Sequence, residues 1–231
     1  MSQVKIYSAK VCPYAQRTRM VLLEKGVDFE QIEIDLQNKP DWFAEVSPYG
    51  KVPVIQHEEN RIWESSIINE YLDEVFPEPP LMPKNPGLRA IARIWIDFAN
   101  TKFTPAFYKL LLSQDVPQQQ NWTNELHQHL LFIEKEGFRQ LSKAGSYWLG
   151  DSLSLVDLSF YPWFDRWIAL EHYRGVKLPA ECTRLREWLG VMQQHPSVRA
   201  TAQPPEVYIQ DYAQYASDRA SGVTAAEMRR Y

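Results

Sequence analysis

A chain of 231 residues that is 45% hydrophobic, with 8 Trp, 12 Tyr and 10 Phe, can fill one large or two small cores, which excludes wholesale disorder. Its net charge of −4 comes from 25 basic and 29 acidic residues mixed along the chain, so there is no basic stripe for a phosphate backbone and nucleic acid is not an expected partner. No apolar run reaches the roughly 18 residues that span a bilayer, "MSQVKIYSAK" lacks the regions of a signal peptide, and Cys12 and Cys182 are too few for a disulfide framework. A soluble protein of the reducing cytoplasm, without membrane contact, is expected.

Along the first third of the chain, short strand patterns alternate with helical ones. "VKIYS" (Val4 to Ser8) predicts a strand, "PYAQRTRMVLLEKG" a helix with Gly26 past its end, and "FEQIEID" (Phe29 to Asp35) a second strand. "DWFAEV" predicts a short helix, Val52 to His57 a strand, "IWE" another, and "SSIINEYLDEVF" a helix. Helices between the early strands imply parallel pairing, and the short "HEEN" connection implies an antiparallel hairpin, which is the order of a thioredoxin-like domain over residues 1–76. The five prolines of "FPEPPLMPKNP" mark a linker at 77–87.

From residue 88 to 231 only helices are expected, giving an α/β N-terminal domain followed by an all-α domain. "LRAIARIWIDFANTKFTPAFYKLLLS" predicts a helix bent near Pro105, "NELHQHLLFIEKEGFRQLSK" a second, and "SLVDLSFYPWFDRWIALE" a third. Ser154 and Asp157 have capping-box spacing at the start of the third. The small residues of "YASDRASGVTAAE" predict a partly mobile tail.

The chemistry begins at Cys12. If the first helix starts at Pro13, Cys12 is its N-cap, and unpaired backbone N–H groups surround the sulfur. With the helix dipole, and with Arg17 and Arg19 wherever they face inward, these donors predict a thiolate at neutral pH. Ala15 stands where a dithiol site would carry its second cysteine, so Cys12 needs a borrowed thiol to release any disulfide it forms. The competing reading is a small buried hydrophobe, as expected for Cys182. Pro53 opens a strand, which suits a cis Val52–Pro53 bond and leaves the Val52 backbone for an extended peptide. Glu64 with Ser65 or Ser66 at a helix start offers N–H groups to a carboxylate and an acceptor to an ammonium, although plain capping explains the serines equally well. The scattered histidines, including His127 and His129 on different helix faces, predict no metal site.

"CPYAQRTR", "NKPDWFAEVSPYGKVPV", "WESSIINEYLDEVFPEPPLMP" and "LGDSLSLVDLSFYPWFDRW" together resemble the cytosolic glutathione transferases, most closely the omega-type (cysteine-type) members and their lambda-like relatives. The resemblance implies glutathione as cosubstrate, with Cys12 forming the mixed disulfide and Tyr14 flanking the thiol. It further implies that Val52, before cis Pro53, pairs with the cysteinyl unit, that Glu64 and Ser65 hold the γ-glutamyl group, and that Lys39 meets the glycine carboxylate. Among the aromatics of the helical domain, Tyr161, Phe164 and Trp167 are the candidates for a second-substrate site, with Trp163 also nearby in sequence. A homodimer is the family default, although lambda-like members can be monomers. Only eleven residues precede Cys12, shorter than the N-terminal extension of some omega members.

The implied activity is thiol transfer or reduction of a small disulfide or glutathionyl adduct, with dehydroascorbate reduction as a side activity. Conjugation of glutathione to electrophiles is the rival enzyme function, and a transferase-fold binding or regulatory protein the rival outside catalysis.

Overall fold

The computed structural model describes residues 4–230. β1 (Val4–Ser8) alternates its side chains between the two faces of the sheet: Val4 and Ile6 join the core under the helices, while Tyr7 packs with Phe43 on the other side. α1 (Pro13–Glu24) follows and ends in Gly26, whose φ of +61° suits glycine. β2 (Phe29–Glu33), α2 (Phe43–Val46), β3 (Val54–His57), β4 (Asn60–Trp63) and α3 (Ser65–Val75) complete the first layer. The sheet order is β2-β1-β3-β4, with β1 parallel to β2 and antiparallel to β3 in the register Tyr7↔Val54. This is the mixed sheet the sequence predicts, with β3 starting two residues later than expected.

The proline-rich connection is pinned rather than loose. Leu81 is buried, its N–H bonds Asp73 Oδ1 at 2.8 Å, and its carbonyl accepts from Leu155 N at 2.9 Å. The buried Lys25 ammonium ties Asp73 (2.5 Å) to the Pro79 carbonyl (2.6 Å). The last proline, Pro86, already opens α4 (Pro86–Phe98), which Asn85 caps by accepting from Leu88 N.

The predicted bend near Pro105 is a change of helix type. α4 runs through a π turn, Ala99–Phe103, into α5 (Thr104–Leu112), and Thr104 N–H bonds the Ala99 carbonyl five residues back. Pro105 has no N–H to give the carbonyl four residues before it, so the wider turn forms where the α ladder is interrupted. α6 (Val116–Phe132) starts earlier than predicted because Asp115 accepts from Gln118 N, and it widens into a second π segment, Ile133–Ser142. The third predicted helix is two, α7 (Leu155–Asp165) and α8 (Trp167–Arg174), separated at Arg166. α9 (Thr183–Gln194) and α10 (Pro196–Thr201) follow. The tail predicted to be mobile contains α11 (Pro205–Ala216) and α12 (Val223–Met228). The two layers share one core: Val4, Met20 and Ile68 belong to the same buried cluster as Trp148, Phe160 and Tyr212.

At the start of α7, Asp157 is fully buried and accepts from Ser154 N (2.8 Å), Ser154 Oγ (2.6 Å), Trp148 N (2.8 Å) and Trp188 Nε1 (2.8 Å). The carboxylate thus closes the cap and fixes two tryptophans of the helical core. Ser154→Ala should lower the stability by about 0.5–2 kcal/mol, read as a shifted denaturation midpoint with the slope unchanged.

Candidate active site

Leaving β1, the chain turns so tightly before α1 that its carbonyls have no ladder to join. Buried arginines take them. Arg19 donates to the carbonyls of Ala9 (2.9 Å) and Lys10 (3.0 Å) and to Ser8 Oγ (2.7 Å), and Arg166 donates from two nitrogens to the Val11 carbonyl (2.8 and 3.3 Å). Cys12 then stands at the N-cap of α1, followed by Pro13, as its sequence position predicts. The N–H groups of Ala15 and Tyr14 face its sulfur.

The charge state differs from the sequence expectation. Burial pushes the Cys12 thiol above its ordinary value, and this outweighs the opposing pull of Ala15 N–H, Arg166, Tyr14 N–H and Arg19. Cys12 is only 9% exposed, and its Sγ donates to the Val52 carbonyl at 3.8 Å, a bond that only the protonated thiol makes. Helix-end donors are present as predicted, but desolvation of the anion is the larger effect in the unliganded cleft.

Facing Cys12, a cleft of about 1000 Å³ gathers Tyr14, Lys39, Val52, Pro53, Glu64 and Ser65 along one wall. The Val52–Pro53 bond is cis, and Val52 lies just before the paired residues of β3. Lys39 Nζ bonds the carbonyl of Gly50 (2.7 Å), a residue with φ of +61° at the turn into this segment. Glu64 has φ of 68°, a conformation costing about 1–3 kcal/mol in an L residue, and sits at the N-cap of α3 with Ser65 in the first turn. Tyr14 packs its ring edge on Trp163 at 5.0 Å.

Tyr161, Phe164 and Trp167 do not reach the cleft. All three are buried in the helical core: Tyr161 against Trp188, Phe164 stacked on Phe103 at 5.3 Å, and Trp167 with its Nε1 bonded to the Val176 carbonyl at 3.1 Å. They are displaced from the predicted role because α7 and α8 present these faces to α5 and α9 rather than to the sheet. The opposite wall is instead formed by Asn100 and Thr101 of the π turn, Tyr108 of α5, and Tyr212 and Tyr215 of α11. Tyr108 and Tyr212 stack at 6.2 Å with hydroxyls 3.3 Å apart, and Tyr215 lies 5.3 Å from the Tyr108 ring. Asp211 also lines this wall, its carboxyl pushed up to about 6 by burial against the pull of Arg166. α12 closes the mouth, where Glu227 pairs with Lys51 at 2.7 Å.

A family profile described as the glutathione S-transferase N-terminal domain matches residues 6–80, and the C-terminal domain profile matches residues 116–190. Glutathione S-transferase omega-1 of Mus musculus is 36% identical over 195 residues, covering 84% of this chain and 78% of that protein. The chain belongs to the glutathione S-transferase family. Its fold is that of glutathione transferase Omega 3C from Trametes versicolor, with a TM-score of 0.83, 30% identity, and coverage of 93% of this chain and 91% of the other. The dehydroascorbate reductase of Chlamydomonas reinhardtii is also similar, with a TM-score of 0.77, 25% identity, and coverage of 92% and 98%.

In this transferase the cleft residues that sequence reasoning missed carry one readable signal. Asp211, Tyr212 and Tyr215 fall at spacings of one and three, and with the buried Tyr208 four residues before Tyr212 the tyrosines form the stripe of a helix face. Among the described residues no group of three or more His, Cys, Asp or Glu is placed to hold a metal ion, and no helix is long and apolar enough to cross a membrane.

Alkylation of the unliganded protein should follow a Cys12 titration at or above the ~8.5 of a free thiol. Arg166→Met should move that midpoint higher still, because it removes a positive charge that favours the thiolate. A midpoint well below the free value, measured from rate against pH, would show that the helix-end donors win instead.

Proposed function

We propose that this glutathione transferase is a thiol transferase and reductase that works through a glutathione mixed disulfide on Cys12. The carrying observation is that Cys12 lines the cleft while Ala15, fully buried three residues on, offers no second thiol, and Cys182 is buried in the helical core away from the cleft. Burial pushes the Cys182 thiol up to about 11, which further separates it from the chemistry.

In this reading Lys39 meets the glycine carboxylate, the Val52 backbone before Pro53 pairs with the cysteinyl unit, and Glu64 and Ser65 hold the γ-glutamyl group. The bound peptide displaces water from the Cys12 pocket and brings its sulfur to the helix end. The Cys12 thiol loses its proton to solvent, and the thiolate attacks the glutathionyl sulfur of a mixed disulfide. The Cys12–glutathione S–S bond forms, the original S–S bond breaks, and the departing thiolate takes up a proton. A second glutathione thiolate attacks the bound glutathionyl sulfur, giving oxidised glutathione and restoring Cys12. Net, the mixed disulfide and one free glutathione give the released thiol and oxidised glutathione, half of which comes from the substrate.

The reductase from Chlamydomonas reinhardtii supports dehydroascorbate as one acceptor. The tyrosine wall suits a small, partly apolar second substrate. The reading carries a homodimer in the reducing cytoplasm, where reduced glutathione is available to resolve the adduct.

Cys12→Ser should lower kcat/KM for a glutathionyl disulfide and for dehydroascorbate by about 1000-fold or more, since a hydroxyl cannot enter disulfide exchange. The same variant should gain weak conjugating activity toward electrophiles, because a hydroxyl can hydrogen-bond a glutathione thiolate without trapping it. Full reductase turnover in Cys12→Ser would remove the monothiol mechanism and leave conjugation as the better account.

A further inference from the structure

Asp211 is an ionisable group of the cleft that the thiol chemistry does not use. It stands half-buried on α11, four residues before Tyr215, so its carboxyl and the Tyr215 ring share one face of that helix, and both line the cleft. The Tyr215 hydroxyl is pushed up by burial first, then by the charges that Cys12 and Asp211 carry when ionised, which places this ring near both groups.

Among the described residues no hydrogen bond or ion pair reaches the Asp211 carboxyl, and the charge that bears on it is that of Arg166. Arg166 is fully buried, its donors are taken by the Val11 and Pro162 carbonyls and Gln16 Oε1, and it also feels Asp165. The tyrosines around Asp211, Tyr212 and Tyr215 on α11 and Tyr108 facing them from α5, are held protonated by burial. Of the cations that line the cleft near this wall, Lys109 lies over the Trp122 ring at 4.5 Å, Lys51 pairs with Glu227 at 2.7 Å, and Arg230 is exposed. Burial lifts Asp211 to about 6 against the pull of Arg166, so it is ionised at neutral pH. A half-buried carboxylate without a donor, beside an aromatic ring, fits an ammonium group, which gains charge-assisted hydrogen bonds from the one and the quadrupole of the other. An anionic ligand meets like charge there.

We propose that Asp211, with Tyr215, forms a cation subsite that selects glutathionyl disulfides whose departing thiol carries an ammonium group. This rests on the reductase reading of Cys12. The aminothiol half of the disulfide lies along α11 with its ammonium at the Asp211 carboxylate. The Cys12 thiolate attacks the glutathionyl sulfur, the substrate S–S bond breaks, and the aminothiol leaves as a thiolate that takes a proton from solvent. Asp211 binds the substrate and transfers no proton.

The test uses three mixed disulfides of glutathione matched in length, made with 4-aminobutanethiol, 4-mercaptobutanol and 4-mercaptobutanoic acid. For each, kcat/KM is read with the full chain and reduced glutathione, after subtraction of the uncatalysed exchange. At neutral pH the wild type should favour the amine over the alcohol by about 10-fold, and the alcohol over the acid. Asp211→Asn should bring the amine-to-alcohol ratio to about 1, and Asp211→Lys should put the acid first. Equal kcat/KM for amine and alcohol in wild type, or an unchanged ratio in Asp211→Asn, overturns the subsite and leaves the reductase reading standing. No turnover of any of the three overturns both. Should the variants not fold, the wild-type ratio measured against pH decides. Cys12 and glutathione are common to both substrates and cancel in the ratio, and the amine stays protonated throughout. The preference should therefore fade as pH drops through about 6, where the carboxylate takes a proton and loses its charge. A ratio that stays flat across that range overturns the assignment.

Discussion

Three consecutive carbonyls, Ala9, Lys10 and Val11, lie in a turn outside any strand or helix ladder; each accepts from a buried guanidinium, and Ala9 also accepts from Cys12 N–H at 3.0 Å. Arg19 serves the first two from within α1, ten and nine residues away in sequence. Arg166 serves the third from the break between α7 and α8, in the other layer of the molecule. Cys12 is the next residue, so its position is fixed jointly by its own helix and by the helical domain. Loss of Arg166 would leave the Val11 carbonyl unpaired beside the reactive sulfur, at about 1–3 kcal/mol, whereas without Arg19 the Ala9 carbonyl would still accept from Cys12 N–H.

The helical domain therefore does more than cover the cleft. Gln16 donates to Asp165 at 3.0 Å and accepts from Arg166, and Arg17 holds the Ser159 carbonyl and Asn100. One face of α1 is thus a row of polar side chains reaching across the domain boundary, while Met20, Val21 and Leu22 fill the core. The π turn serves the same junction by placing Asn100, which lines the cleft, where it accepts from Arg17. Burying this much polar surface is tolerable because most of these groups are paired; Arg17 Nη2, Asn69 Nδ2 and Trp163 Nε1 are exceptions.

The order of elements along the chain was legible because strand and helix periods alternate cleanly from Val4 to Val75, and the Ser154–Asp157 cap because its signal is local. The seven glutathione-site candidates could be named because their motifs are short and, apart from Lys39 in the loop before α2, sit at or next to the end of an element. What sequence could not show is set by tertiary packing. The N-terminal helix donors around Cys12 are visible in the pattern, but the burial that opposes them arises from Val52 and the turn that Arg166 pins. Tyr161, Phe164 and Trp167 are indistinguishable by type from cleft-lining aromatics, and only the packing of α7 and α8 on α5 and α9 assigns them to the core. The small residues around Ser217 to Ala226 suggest mobility because a six-residue helix has little stability alone, and α12 is held by its Lys51–Glu227 pair and by packing on α5.

The central claim is that a single thiol carries glutathione through the reaction, and its most direct test is the site of the adduct itself. The protein is exposed to oxidised glutathione, digested without reductant and mapped by peptide mass, with a parallel sample treated afterwards with reduced glutathione. The account predicts one glutathione on the Cys12 peptide, none on the Cys182 peptide, no Cys12–Cys182 disulfide, and complete removal in the parallel sample. An adduct on Cys182 alone, or an unmodified Cys12 under conditions that saturate the cleft, would contradict it.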